Sequence, residues 1–389
     1  PLVRALEKYL EAMPEGLLEA LEMSSGALLE GFPSAYSVYR PMLLLPAHSF
    51  GSEAWKRLLA FLEQNNSASL QSLWHSLASS VGATHIAINN PIPLHTPSNK
   101  EEENILRSPV GLVPLYGDFG PPPSSLANPE KPSQGDFDKA FWVSTTQNGI
   151  HQTWAPMYTM FSRGNITEKA RVMNMESVKT AIEEGKNHSR GATAIDLYAG
   201  IGYFAFSYKK AGVDKVICFE LNPWSVEGLQ RGAGMNWWNC AVVQGGLERE
   251  AYLMRGGEAW KELIEDNDFI IFQESNERVL EELEWMHNLP PIRHINLGLL
   301  PSSRASWENA VASLDYAEVC WLHIHENIGA GEIERRAEEI ETEILLIFQD
   351  VMKERGQKGD YIPAVEVEHV EKVKTFAPGV WHCVVDIRI

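Results

Sequence analysis

The sequence predicts an α/β fold in which a doubly wound parallel sheet is closed by an antiparallel hairpin and preceded by a smaller α+β region. From about residue 170 onward, strand-like and helix-like segments alternate, which is the pattern of a parallel sheet. An apolar run there ends in Asp196 and is followed by two glycines, a turn that suits ligand binding. The chain closes with two β-rich segments, 364–374 and 381–389, around Ala377-Pro378-Gly379.

Residues 1–80 are predicted to be helical, because their apolar side chains recur with a 3.6-residue period. That period is clearest in the groups Leu2, Leu6, Tyr9 and Leu10; Trp55, Leu58 and Leu62; and Leu70, Leu73, Trp74 and Leu77.

Residues 81–168 are predicted to form a small mixed β domain. Short strands are expected at 85–88 and 111–116, and the Pro- and Ser-rich stretch 120–135 is expected to be an exposed loop. Two further strands flank Asn148-Gly149, a dipeptide that favours the tight turn of a β-hairpin.

Residues 169–389 are predicted to form the catalytic domain. Its candidate strands are 193–198, 215–220, 240–244, 292–298 and 318–325. An amphipathic helix is expected over 332–354. The acidic stretch 247–290 is helical in pattern, so we expect an insertion between the third and fourth strands.

The composition limits the classes of protein to consider. A formal net charge of −19 argues against broad, nonspecific nucleic-acid binding, although a local basic surface remains compatible with it. The four cysteines are scattered without a CxxC pair, which favours free thiols in a reducing compartment. With no long apolar run and no signal-like N-terminus, we expect a cytoplasmic protein without a membrane partner. Because the chain begins at Pro1, sequence N-terminal to it is expected.

The turn after the first strand of the catalytic domain predicts a nucleoside-cofactor site. Gly200 and Gly202 fit the GxGxxG/A spacing, and Glu220 lies 18 residues beyond Gly202, where a carboxylate can bind ribose hydroxyls. Asp196 precedes the glycines and would repel a pyrophosphate but attract the cationic sulfonium and amino groups of S-adenosylmethionine (AdoMet). Asn222-Pro223 after Glu220 also fits AdoMet. The alternatives are a nicotinamide dinucleotide and a turn that serves only packing.

Three groups of motifs together carry a family resemblance. They are Asp196–Tyr203; Met160–Arg171 upstream and Ile295–Ser303 downstream of it; and the later segments Trp307–Val311, Leu322–Asn327 and Val373–Gly379. In the order in which they follow one another along the chain, these motifs resemble the Trm5/TYW2 family of tRNA-modifying class I AdoMet enzymes, and within it the TYW2 (Trm12) branch. The resemblance covers about residues 82–246 and 292–389.

This resemblance implies the activity and the partners. The enzyme would transfer the 3-amino-3-carboxypropyl group of AdoMet to 4-demethylwyosine at position 37 of phenylalanine tRNA, and methylthioadenosine would leave. Its partner would be the anticodon arm, oriented by the β domain at 81–168. No metal and no stable protein partner are expected.

The resemblance also implies the cofactor contacts. Ser162 and Lys169 would contact AdoMet, with Lys169 on the methionine carboxylate and Glu220 on the ribose. The rest of the expected set is Asp196, Tyr198, Gly200, Gly202, Asn222 and Gly246. Relatives tend to carry an acid after the third strand, on the adenine side of the cofactor. Here Gly246 offers no side chain, so backbone groups or Glu248 would have to substitute. Ser162 could instead cap a helix.

The acceptor base is expected near the carboxyl ends of the strands, around Asn296, Pro301 and His325. Basic residues near the cleft are candidate phosphate contacts: Arg107, Lys139, Arg163, Lys169 and Arg171. Two other functions stay open. One is N1-methylation of guanine 37, which the Asn296–Ser303 segment disfavours; the other is a noncatalytic RNA-binding protein with a degenerate cofactor fold, which Gly246 favours.

Two weaker patterns have plain structural explanations. His323 and His325 alternate on one strand and suggest a metal pair, but no further ligand stands at a suitable spacing. Trp237, Trp238 and Trp285 could stack on bases, although tryptophans more often pack in the core.

Overall fold

The computed structural model describes residues 1–89, 111–245, 254, 256–356 and 364–389. The chain divides into two compact units. Unit 1 comprises Pro1–Thr145 and Thr153–Phe161, and unit 2 comprises Thr146–Gln152 and Ser162–Ile389.

Unit 1 combines helices with a small sheet. Its helices are α1 (Leu2–Glu11), α2 (Leu17–Ala20), α3 (Ser25–Glu30), α4 (Glu53–Asn65), α5 (Ser67–Ser79) and α6 (Gln134–Lys139). Its four-stranded sheet has the order β1 (Ser37–Tyr39), β2 (Met42–Pro46), β3 (His85–Asn89) and β4 (Val113–Tyr116). The apolar faces of α1, α4 and α5 bury Leu6, Trp55 and Leu73 in one core.

The prediction that residues 1–80 are helical is wrong for 37–46, where β1 and β2 form an antiparallel pair. Met42-Leu43-Leu44-Leu45 is a short apolar run, and such a run has no periodicity that separates a strand from a helix. The strands predicted at 85–88 and 111–116 are present as β3 and β4.

A two-stranded hairpin joins β5 (Val143–Gln147) to β6 (Ile150–Trp154), as the Asn-Gly pair predicts. Asn148 and Gly149 both have positive φ, 53° and 71°, which is the backbone of a type I′ turn.

Unit 2 is built on an eight-stranded sheet. Its strands in chain order are β7 (Thr193–Asp196), β8 (Lys215–Phe219), β9 (Cys240–Gln244), β10 (Phe269–Gln273), β11 (Ile292–Leu297), β12 (Trp321–Gly329), β13 (Glu366–Ala377) and β14 (Val380–Arg388). In space they lie in the order β13-β14-β12-β11-β7-β8-β10-β9. The strands from β7 to β12 are parallel, and β13–β14 is the antiparallel hairpin that the sequence predicts.

Helices accompany the parallel strands, as a doubly wound sheet requires. They are α7 (Ile166–Asn174), α8 (Glu176–Asn187), α9 (Ala205–Ala211), α10 (Pro223–Met235), α11 (Gly257–Asp266), α12 (Val279–Leu283), α13 (Trp307–Ser313) and α14 (Ile333–Glu354). Helix α14 confirms the amphipathic helix predicted over 332–354, and it buries Ile340, Ile344 and Phe348.

The expected insertion at 247–290 is the main error in the predicted fold. Phe269-Ile270-Ile271-Phe272 forms β10, which is fully buried and lies between β8 and β9. The acidic residues around this short apolar run obscured it, although a buried parallel strand is expected to be continuously apolar. Residues 257–290 therefore belong to the sheet architecture.

No helix in the described part of the chain is both long and apolar enough to cross a membrane.

Candidate functional site

The turn between β7 and α9 lies at the carboxyl edge of the parallel strands. Gly200 and Gly202 have φ values of 55° and 87°, in the left-handed region that glycine adopts readily and most other residues rarely. A Cβ at Gly200 would lie 2.7 Å from the ring of Tyr203, and one at Gly202 would lie 2.7 Å from the ring of Phe206. Both glycines are thus needed for the conformation of the segment Asp196–Tyr203, called the cofactor loop below.

Asp196 is fully buried at the base of the cofactor loop. Its carboxylate accepts hydrogen bonds from the backbone N–H of Tyr198 at 3.3 Å and of Ala205 at 3.2 Å, and from Asn296 Nδ2 at 3.1 Å. Burial raises the pKa of Asp196 to about 6. Asp196 therefore holds the two ends of the loop together and supplies an anionic environment at its base.

Glu220 follows β8, and its carboxylate reaches across to the cofactor loop. It accepts hydrogen bonds from the backbone N–H of Gly200 at 2.8 Å and of Asn222 at 2.7 Å. Burial raises the pKa of Glu220 to about 7. The Asn222 side chain caps α10, accepting from the Trp224 N–H at 2.9 Å, so its backbone orients Glu220 while its side chain begins the helix.

Basic side chains lie near Tyr203, the last residue of the cofactor loop. Lys169 is buried, and its ammonium donates to Gln147 Oε1 and Gln152 Oε1, both at 3.0 Å. It also lies 5.0 Å from the centroid of the Tyr203 ring. Burial, reinforced by the charge of Lys374, lowers the pKa of Lys169 to about 7.

Ser162 joins the same region through its backbone and its side chain. Its N–H donates to the Tyr203 hydroxyl at 3.2 Å, and its Oγ accepts from Lys374 Nζ at 3.1 Å. Ser162 precedes the short 3₁₀ helix Arg163–Asn165 but makes no side-chain cap there. The capping alternative for Ser162 is therefore wrong.

Two of the three residues expected to orient the acceptor are buried and bonded to each other. Asn296 Oδ1 lies 3.3 Å from His325 Nε2, and His325 Nδ1 lies 2.9 Å from His382 Nε2. Because Asn296 donates to Asp196 through Nδ2, His325 donates through Nε2 and accepts from His382. This chain of contacts supports Asp196 from beneath and leaves Asn296 and His325 away from the surface.

Pro301 and Tyr198 lie closer to solvent. Pro301 is exposed, and its carbonyl accepts the N–H of Asn327 at 2.9 Å, which ties the segment after β11 to β12. Tyr198 is half-buried and donates through its hydroxyl to Ser306 Oγ at 3.0 Å. Of the three acceptor candidates, Pro301 is the exposed one.

On the side away from β7, the neighbour of β8 in the sheet is β10. An acid for the adenine side of the cofactor is therefore expected after β10. Gly246, the expected position, lies outside the described residues, as does Glu248. β10 ends at Gln273 and is followed at once by Glu274, whose Oε1 is buried without a hydrogen-bond partner in the described part of the chain. The sequence shows this acid, but the short apolar run before it has no periodicity that marks it as a strand.

The candidate phosphate contacts differ in their surroundings. Lys139 and Arg163 are exposed, and Arg107 lies outside the described residues. Arg171 instead makes ion pairs with Glu168 at 2.7 Å and with Asp386 at 2.6 Å. Since its guanidinium is engaged by two buried carboxylates, Arg171 is withdrawn as a phosphate contact. Burial likewise removes Lys169 from this group.

The paired histidines of β12 contact separate partners. His323 Nδ1 lies 2.7 Å from Asp386 Oδ1, whereas His325 contacts Asn296 and His382. Among the residues that the structure describes, no group of three or more His, Cys, Asp or Glu side chains could hold a metal ion. The tryptophans differ too: Trp237 is 94% exposed, Trp285 is 39% exposed and Trp238 is half-buried.

Two properties separate this site from a dinucleotide site. Asp196 occupies the base of the loop, where a pyrophosphate would be repelled, and the parallel sheet is closed by the antiparallel hairpin β13–β14. The chain therefore has the class I fold of AdoMet-dependent transferases.

Comparison with known proteins identifies the family. No protein-family model matches the chain. The protein named tRNA wybutosine-synthesizing protein 2 of Schizosaccharomyces pombe is 39% identical over 356 residues, which cover 92% of this chain and 72% of the relative. Its namesake in Saccharomyces cerevisiae is 34% identical over 400 residues, with 93% and 75% covered. The chain belongs to the tRNA wybutosine-synthesizing protein 2 family, which confirms the resemblance of the motifs.

A solved structure confirms the fold. The crystal structure of P. horikoshii TYW2 in complex with MeSAdo aligns with a TM-score of 0.55 at 18% identity, covering 99% of this chain and 97% of that one.

Proposed function

We propose that this chain transfers the 3-amino-3-carboxypropyl group of AdoMet to the 4-demethylwyosine base at position 37 of phenylalanine tRNA, in wybutosine synthesis. Membership of the family supports the reaction. The observation that carries the donor site is the cofactor loop, with Asp196 at its base and Glu220 bonded to Gly200.

The reaction is an alkylation by a sulfonium. The sulfonium activates all three attached carbons, so the outcome depends on which carbon faces the acceptor base. In aminocarboxypropyl transfer, a bond forms between the acceptor base and the γ carbon of that group. The bond between this carbon and sulfur breaks, methylthioadenosine leaves with the electron pair, and the base loses one proton. Orientation and proximity can then supply most of the rate enhancement.

The residues of the cofactor loop fit this donor in three places. Glu220 would accept hydrogen bonds from the ribose hydroxyls, and its raised pKa is expected to fall when those donors arrive. Asp196 would favour the cationic groups beside the sulfonium. Glu274, which follows the strand next to β8, offers the buried and unpartnered oxygen that an adenine amino group needs.

The acceptor base is expected beside Pro301, the exposed member of the acceptor candidates. Asn296 and His325 would act indirectly, because they hold Asp196 in place and do not reach the surface. Lys139 and Arg163 are the proposed phosphate contacts of the anticodon arm, and Arg107 remains a proposed one. The four cysteines are free thiols, which supports work in the reducing cytoplasm.

Neither alternative function gains support. The relatives carry the name of wybutosine synthesis, which does not favour guanine methylation. The noncatalytic alternative depended on the missing acid at Gly246, and Glu274 now offers a carboxylate next to β8.

The proposal is tested by incubating the protein with AdoMet and tRNA that carries the tricyclic base. The expected nucleoside product is methylthioadenosine. Formation of S-adenosylhomocysteine would indicate methyl transfer and contradict the proposal. Calorimetry with AdoMet is the companion measurement, since a folded protein that does not bind AdoMet would support the noncatalytic alternative.

A further inference from the structure

Lys374 is a basic residue of the donor site that the motifs did not assign to any role. It lies on β13, three residues before the strand ends, and its partner His382 on β14 pairs in turn with Asn327 near the carboxyl end of β12. Its ammonium donates to Ser162 Oγ at 3.1 Å. Ser162 in turn bonds to the Tyr203 hydroxyl, and Lys169 lies over the Tyr203 ring. These four residues are called the lysine pocket below.

The stem of Lys374 is held against the backbone. A Cβ added at Gly164 would lie 2.9 Å from Lys374 Cδ, so the chain passes closely over this side chain where a glycine permits it. The side chain is half-buried, and burial lowers the pKa of Lys374. Its position is therefore constrained at both the stem and the ammonium.

The charge of the lysine pocket calls for an anion. Within the described part of the chain Lys374 makes no ion pair, and its hydrogen-bond partner Ser162 is neutral. The charge of Lys374 also acts on buried Lys169, so two like charges are held near each other. A bound carboxylate would offset this repulsion and the cost of burial.

We propose that Lys374, together with Lys169, binds the carboxylate of the aminocarboxypropyl group and thereby directs its γ carbon toward the acceptor base. The inference rests on the proposed function. The donor has one carboxylate, at the end remote from its nucleoside. Glu220, the proposed ribose contact, is bonded to Gly200, whereas Lys169 lies over the Tyr203 ring. Because this carboxylate moves with the transferred group, the contact lasts from substrate to product.

The test compares donors with and without the carboxylate. Calorimetry measures the binding of AdoMet, decarboxylated AdoMet and methylthioadenosine to the wild type and to Lys374→Met. Lys372→Met is the matched control, because Lys372 is an exposed lysine on the same strand. We expect the Lys374→Met substitution to lower the affinity for AdoMet about tenfold or more. Its affinity for decarboxylated AdoMet should stay unchanged or rise, and Lys374→Arg should restore most of the AdoMet affinity.

Other outcomes would overturn the inference. One is a wild type that binds AdoMet and decarboxylated AdoMet equally. Another is a Lys374→Met protein that loses tRNA affinity but keeps its preference for AdoMet, which would assign Lys374 to a phosphate of the tRNA. Retained binding of methylthioadenosine shows that the variant is folded. Failure of the wild type to bind AdoMet and methylthioadenosine would contradict the proposed function itself, which separates the two failures.

Discussion

Two groups of side chains with opposite charge surround the cofactor loop, and they are called its acidic end and its basic end below. One end is lined by carboxylates, with Glu220 bonded to Gly200 and Glu274 following the neighbouring strand. The other end is lined by ammonium groups, Lys169 and Lys374, around Tyr203. A donor that is a nucleoside at one end and an amino acid at the other matches this polarity. In a chain of formal charge −19, a buried lysine and a half-buried lysine that lie near each other are less expected than carboxylates, so they are the stronger indication of a bound anion.

The two ends also arise differently from the chain. The acidic end comes from consecutive strand–turn units, so Asp196 and Glu220 can be recognised by their spacing. The basic end is assembled from distant segments, since 212 residues separate Ser162 from Lys374. The two ends can therefore be tested separately.

The largest expected effect follows from removing the acidic end. Glu220→Ala should lower the affinities for AdoMet and for methylthioadenosine alike, by about a hundredfold. The reason is that hydrogen bonds to a charged group are each worth roughly 1.5–3 kcal/mol. Calorimetry on both ligands measures this effect.

The matched control for that variant is Glu176→Ala, whose side chain is 87% exposed and belongs to α8. This variant should bind both ligands as the wild type does. A Glu220→Ala protein that loses AdoMet but keeps methylthioadenosine would place Glu220 at the wrong end of the donor.

The second effect is on pH dependence, and the two ends should produce opposite limbs. Glu220, with a pKa of about 7, must ionise to accept from the ribose, so affinity falls as the pH drops below 7. Lys169, also with a pKa of about 7, must be protonated to bind the carboxylate, so affinity falls as the pH rises above 7. On each limb the change in affinity approaches tenfold per pH unit, since one pKa unit corresponds to about 1.4 kcal/mol.

Calorimetry between pH 6 and 8.5 measures this profile. Because methylthioadenosine lacks the carboxylate, its affinity should fall at low pH but should not fall at high pH. The donor's own amino group titrates near pH 8. The Lys169→Met variant therefore assigns the alkaline limb, and an unchanged limb in that variant would exclude Lys169 as its source.

The smallest expected effect concerns tRNA, and it tests whether the basic end serves the donor alone. Arg163→Ala and Lys139→Ala should each lower the salt slope of tRNA binding by about one. Lys374→Met should leave the slope unchanged. A filter-binding titration across salt concentrations measures the slopes, and a binding constant independent of salt would refute the assignment of Arg163 and Lys139.

Much of the fold could be predicted because its signals are local. The glycine turn, the Asn148-Gly149 hairpin and the stripe of α14 each depend on residues close in sequence. Strand β10 was missed because four apolar residues, Phe269–Phe272, give too short a run amid acidic helical patterns. The sequence could not show that β10 lies between β8 and β9, since spatial order is set by packing of the whole sheet.

The candidate site divides in the same way. The motifs predict Asp196, Glu220 and Lys169. Lys374 and His382 instead lie on β13 and β14, whose pairing with the rest of the sheet brings them to the site. Arg171 carries the positive charge expected of a phosphate contact, but its guanidinium donates to Asp386, which lies 215 residues away in the sequence. Long-range pairing of this kind leaves no periodic trace in the sequence.

The central claim is that this loop presents the γ carbon of the aminocarboxypropyl group to the base. The most direct measurement supplies tRNA bearing the tricyclic base with AdoMet labelled in the methyl group or, separately, in the aminocarboxypropyl group. The label in the aminocarboxypropyl group is predicted to enter the tRNA, while the methyl label leaves with methylthioadenosine. Entry of the methyl label alone would contradict the claim.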